Sequence, residues 1–152
     1  MIAVFMKVRG LKLFSIHGID IYLHFSWWFI VAFMVYNLSS TYFPNEIAGL
    51  SPISYWVIGT IATICLFLSV LMHELVHSFV ARARNLKVDH ITLFFFGGVA
   101  SLPSEDIEPH TEFIMALAGP VFSILLGVAL FFVDQFTSGS VHALVQYLWQ
   151  LN

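Results

Sequence analysis

Charge is what this sequence has least of. Only 10% of its 152 residues are Asp, Glu, Lys or Arg, whereas 59% are hydrophobic and the mean hydropathy is +0.89. A soluble domain carries about 25% charged residues. A chain this poor in charge cannot cover a globular surface, so the bilayer is its expected solvent. Six basic residues against nine acidic ones give a formal charge of -3, with no basic stripe, so nucleic acid is not an expected partner. The single cysteine, Cys65, excludes a disulfide within one chain and leaves the redox compartment unread. The opening "MIAVFMKVRGLKLF" lacks a signal-peptide layout, because its basic residues follow the short apolar start rather than precede it. The segment is expected to be retained. No repeat or low-complexity stretch stands out.

What the chain does have is long uncharged runs. A helix needs about 20 apolar residues to span a bilayer. Four runs approach or exceed that length. The first helix is expected near Leu23 to Ser40, the second from about Tyr55 to Ala83, and the third from Phe113 to Val133. The fourth begins after Asp134 and reads as cut short at Asn152. Two further stretches read as strands. "LKLFSIHGIDIYLHF" has two apolar-rich halves around a His-Gly pair, a hairpin signal. "KVDHITLFFFGGVASLP" is β-branched and aromatic around Gly97-Gly98 and too short to span, so residues 88–103 are expected as a re-entrant hairpin. Open strand edges cannot face lipid, so at membrane depth this hairpin must pack on helices or line a cavity. The expected fold class is an all-α polytopic membrane protein with small β-hairpins. It has about four transmembrane helices, the last incomplete, in one membrane-embedded unit over residues 1–152.

The few charges carry an orientation. All the basic residues, Lys7, Arg9, Lys12, Arg82, Arg84 and Lys87, precede the first span or follow the second. With four spans those segments share one side, and the opposite loops have no Lys or Arg. The positive-inside rule then places residues 1–20 and the Arg82 loop in the cytoplasm of a multi-pass cell-membrane protein.

Within the second run lies His73-Glu74-Leu75-Val76-His77, the pattern H-E-x-x-H. Four residues along a helix turn about 400° and rise about 6 Å. Both imidazoles therefore leave one face and can close on one metal ion, with zinc (Zn2+) suited to imidazole nitrogen. Glu74 is then placed to take the proton of an activated water and return it to a leaving amine, the chemistry of amide hydrolysis. An ionisable residue in such a span costs about 2.5–3.5 kcal/mol on insertion scales and usually faces the bundle interior. A structural alternative remains open, in which Glu74 pairs with a histidine to hold helices together. If Arg82 sits at the interface, His77 lies roughly 7 Å and His73 roughly 13 Å inward.

These motifs, taken in order, resemble the site-2 protease family of zinc intramembrane metalloproteases. "HELVH" stands in a hydrophobic helix, "FFFGGVA" is similar to the family's glycine-pair hairpin, and "EFIMALAGPVFS" is similar to its A-G-P segment. "GIDIYLHFSWW" resembles the entry segment of a prokaryotic branch, and together the matches run from about Lys12 to Val133. The resemblance implies zinc held by His73 and His77, Glu74 as general base and acid, and cleavage of membrane-embedded protein segments. It also implies a third ligand, an aspartate in a later motif resembling N-x-x-P-x-x-x-x-D-G, and no such motif occurs in this sequence. Asp134, the only acid after Glu112, falls in a loop expected on the opposite side and is not assigned as that ligand. Two other readings stand beside the protease: an inactive metal-binding or helix-binding fragment of the same fold, and a zinc transporter. Transporters need polar residues along several spans, whereas here they concentrate at one depth of one helix.

The remaining residues divide more evenly. Gly97 and Gly98 read either as a simple hairpin turn or as a close approach to the zinc whose strand edge binds extended substrate. Beside H-E-x-x-H the substrate-binding reading is preferred. Ala118-Gly119-Pro120 reads as helix packing, with Ser123 at the same interface. His17, His24, His90, His110 and His142 lack ligand spacing. Trp27, Trp28, Trp56 and Trp149 fit interfacial anchors. The acidic stretch Ser104 to Pro109 is a solvated loop that could gate the site.

Overall fold

A computed structural model describes residues 10–95, 97–100 and 107–152. Strands β1 (Gly10–Ile16) and β2 (Ile19–His24) form the first hairpin. His17 (φ 49°) and Gly18 (φ 77°) make its two-residue turn, both in the left-handed region that such turns require. Helix α1 (Trp27–Asn37) runs through a π-helical turn (Leu38–Tyr42) into α2 (Phe43–Glu46). The junction residues Asn37, Leu38, Tyr42 and Phe43 all keep helical backbone angles, so the helical path covers 20 residues. It begins at Trp27 rather than near Leu23, because Leu23 and His24 are taken by β2.

Helix α3 (Pro52–Ala83) is 32 residues long, about 48 Å. Ser51 caps it by accepting the Ser54 N–H, and Pro52 fits its first turn, where no N–H is needed. Asn85, at φ 62°, turns the chain out of the helix. Strands β3 (His90–Phe94) and β4 (Gly97–Ala100) make the second hairpin, followed by α4 (Pro109–Asp134) and α5 (Gly139–Leu151). Among the described residues, two helices, α3 and α4, are long and apolar enough to cross a membrane. Only 22% and 11% of their most apolar windows is buried, whereas a soluble protein's core helix would be mostly covered.

The two expected hairpins are present, but they are not separate. Strand β2 pairs in parallel with β3, Asp20 opposite His90 and Leu23 opposite Leu93, giving one four-stranded sheet in the order β1-β2-β3-β4. The chain is therefore mostly helical with one small mixed sheet. Ile19, Ile21, Leu23, Ile91 and Leu93 pack that sheet onto Leu71, Leu75 and Ala81 of α3, with Met115 of α4 in the same cluster. A second cluster, including Leu38, Phe43, Ala62, Tyr147 and Leu148, joins the π turn to α3 and α5. The expected re-entrant segment and acidic gate lie partly outside the described residues, as do Lys7 and Arg9.

Candidate metal centre

Helix α3 presents Ser69, His73 and His77 at four-residue spacing, and α4 answers with Met115, Gly119 and Ser123 at the same spacing. Residues four apart share one helix face, so two stripes meet. His77 Nδ1 lies 2.5 Å from the Met115 carbonyl oxygen, and His73 Nδ1 lies 2.9 Å from Ser123 Oγ. A carbonyl only accepts, so His77 Nδ1 carries the proton and its Nε2 presents a lone pair. The Nε2 atoms of His73 and His77 converge to 3.1 Å. Two nitrogens bound tetrahedrally to one zinc at about 2.0–2.1 Å stand about 3.3 Å apart.

Gly119 faces this point. A Cβ there would overlap both Nε2 atoms. The missing side chain leaves open the space that an ion held by both rings needs, so the residues present fit zinc. Outer-sphere bonds that fix the ring and tautomer are what metal-binding histidines need, and Met115 and Ser123 provide them. Gly98 does the equivalent for Glu74: a Cβ on Gly98 would overlap Glu74 Cγ and stand 2.8 Å from Cδ. The Gly98 backbone N–H faces the Glu74 carboxyl. A cavity of about 340 Å³ opens beside these groups, lined by Ser69, His73, Glu74, Gly97, Ser123 and Asn152 among others. Ser69 Oγ donates to the Asn152 side-chain oxygen at its edge.

The sequence-predicted residues His73, Glu74, His77, Gly97 and Gly98 are thus brought together. No cluster of three or more His, Cys, Asp or Glu with metal-holding geometry exists among the described residues. Asp134 is not in a solvated loop. It is the last residue of α4, 6% exposed, bonded to Trp149 Nε1 at 3.3 Å and His142 at 2.8 Å. It lies 19 residues from Met115, about 28 Å along the helix. The other histidines also lie apart from the pair: His24 bonds Ser26, His17 packs on Phe79, His90 on Tyr22, and His110 is exposed. Trp28 and Trp56 are exposed as anchors would be, but Trp27 packs on Phe67, and Trp149 on Phe131. Sequence reasoning missed the Met115 carbonyl entirely. The four-residue spacing from Met115 to Ser123 was its one available signal.

Comparison with known proteins matches the model of Peptidase family M50 to residues 61–150. A zinc metalloprotease of Methanocaldococcus jannaschii, MJ0392, is 35% identical over 127 residues, 84% of this chain and 33% of that protein. A candidate zinc metalloprotease of Synechocystis sp., sll0528, is 39% identical over 124 residues, 80% of this chain and 32% of that protein. The solved site-2 protease from Methanocaldococcus jannaschii superposes with a TM-score of 0.64 at 28% identity, covering 93% of this chain and 62% of that one. The chain thus spans about a third of the length of these sequence relatives. The matched region contains His73, Glu74, His77, Gly98, Met115, Gly119 and Ser123. The chain belongs to Peptidase family M50, the site-2 protease family of zinc metalloproteases.

Proposed function

We propose that this chain is the core of a zinc endopeptidase that hydrolyses membrane-embedded segments of other proteins within the bilayer. The observation that carries this reading is the convergence of His73 and His77 Nε2 beside Glu74, in a cavity walled by helices whose outer faces are apolar. His73 and His77 would hold the zinc, each ring fixed through its Nδ1. Zinc, when bound, supplies Lewis acidity that makes water acidic enough to lose a proton near neutral pH. Glu74 takes that proton as water oxygen bonds to the scissile carbonyl carbon. It then delivers the proton to the amide nitrogen as the C–N bond breaks. Gly98 leaves room for the carboxylate and aims a backbone N–H at it.

A transmembrane helix hides its amides in its own hydrogen bonds, so the target must unwind before attack. Strand β4, with Gly97 and Gly98, is the last strand of the sheet and stands at the cavity. Its outer edge would hold the unwound segment by strand addition. Residues 1–152 act as one membrane unit, in which the Trp27–Glu46 path, α3 and α4 cross the bilayer and the 13-residue α5 returns only part of the way. The charge distribution favours a cytoplasmic N-terminus and Arg82 loop.

A second reading, metal binding without turnover, draws on the two-histidine donor set among the described residues, since catalytic zinc usually has three protein ligands. One experiment separates them. Glu74→Gln is expected to retain the wild-type zinc content while cleavage of a model transmembrane substrate in detergent falls about 10²–10⁴-fold. Wild-type cleavage by the variant would overturn the assignment of Glu74. Zinc without cleavage in the wild-type protein would favour the second reading.

A further inference from the structure

Beside the Glu74 cavity lies a second, smaller one of about 160 Å³. Trp27 of α1, Phe67 of α3, and Leu93 and Phe94 of β3 contribute to its walls. Val70 and Gly97 line both cavities. The divider is thin at Gly97, where a Cβ would meet nothing within 4 Å and the backbone stands at φ 131°. A side chain there would be strained, and Gly97 puts none between the two cavities. Trp27 and Phe67 rings pack at a tilt of 53° with centroids 4.6 Å apart, and the buried Trp27 Nε1–H has no acceptor among the described residues.

Size and position identify what fits. A water occupies about 30 Å³, so the space holds a few waters or one large apolar side chain. Apart from the Trp27 Nε1–H, the named walls are aromatic or aliphatic, which favours an apolar side chain over a cluster of waters. Val70 is four residues before Glu74 on the same helix face, about 6 Å away. An extended segment advances about 3.3 Å per residue, so a side chain within two residues of the attacked amide reaches this space.

We propose that the Trp27–Phe67–Phe94 cavity is a specificity subsite that accepts one large apolar side chain of the segment being cut. This rests on the proteolytic reading for its meaning but not for its test. The Glu74→Gln protein is reconstituted in liposomes with transmembrane peptides carrying the photoreactive residue benzoylphenylalanine at successive positions. One position, or two adjacent alternate ones, is expected to crosslink to Trp27, Phe67 or Phe94. Crosslinks confined to the outer face of α4, or none, would overturn the subsite. In parallel, the wild-type and Phe67→Ala proteins are offered substrates with Ala, Leu, Phe or Trp near the cleaved bond. Wild type is expected to favour Leu or Phe over Ala by about 10-fold or more, and Phe67→Ala to shift preference toward Trp. Cleavage with unchanged preference would also overturn the subsite. Crosslinks at the named residues without any wild-type cleavage would sustain the subsite and sink the proteolytic reading instead.

Discussion

At Gly119 the absence of one methyl group separates an open site from a blocked one. A Cβ would occupy the space between the two Nε2 atoms. Gly119→Ala is therefore expected to lose stoichiometric zinc, read by elemental analysis, as His73→Ala with His77→Ala should. Gly98→Ala meets Glu74 instead of the histidines. It is expected to keep zinc and to lose at least about 10²-fold in cleavage, the lower range for a displaced general base. Zinc loss in both glycine variants would break the assignment of separate roles. At this scale H-E-x-x-H was legible, because helical geometry alone puts His73 and His77 on one face. The Met115 carbonyl was not legible, because every residue has one and only the meeting of α3 with α4 selects it.

Among the elements, the sheet is tied to α3 by Arg82. Its guanidinium donates to the carbonyls of His17, Gly18 at 2.8 Å and Val88 at 2.7 Å. The charge that marks the expected interface also joins the β1–β2 turn to the entry of β3. Arg82→Ala is expected to cost roughly 1.5–3 kcal/mol, the range for hydrogen bonds involving a charged group. Faster hydrogen exchange across Leu11–Leu23 would report it. An ammonium group cannot reproduce the planar guanidinium fork, so Arg82→Lys should rescue little. The hairpin's other tie is exposed and weaker. Lys12 and Ser15 hydrogen bonds hold the Asp20 carboxyl below its ordinary 3.8, and the Asp20 bond holds Lys12 above its ordinary 10.5. The Asp20 contribution is present above its unfolded value and lost as pH falls through the lowered folded one. The Lys12 contribution is present below its unfolded value and lost as pH rises through the raised one. The Lys12–Asp20 tie should accordingly persist through neutral pH and loosen only below about pH 4 or above about pH 10, read from the Asp20 carboxyl and Lys12 ammonium shifts. Each hairpin was legible from its local pattern. Their union was not, because β2 and β3 pair across 70 residues and no local signal sets that register.

Among the described residues, α3 and α4 expose many large apolar side chains, and two groups of hydrogen-bonded ionisable side chains stand apart along them. One group holds His73, Glu74 and His77. The other holds Asp134, His142 and Trp149, which close α4 onto α5. Orientation is testable at this scale. In a Cys65→Ser background, Asp89→Cys should react with an impermeant thiol reagent only from the cytoplasmic side, and Ser138→Cys only from the other. Reaction of both from one side would refute the crossing by α4.

The sequence by itself determined the solvent, the long apolar helices and the two histidines flanking a carboxylate, because composition and helical period act within one segment. Only the tertiary structure decided what stands against those three residues. Met115, Ser123, Gly119 and Gly98 act through a carbonyl, a hydroxyl and two missing side chains. Such contributions depend on how closely neighbouring elements approach, and that distance is set by packing between segments far apart in the chain.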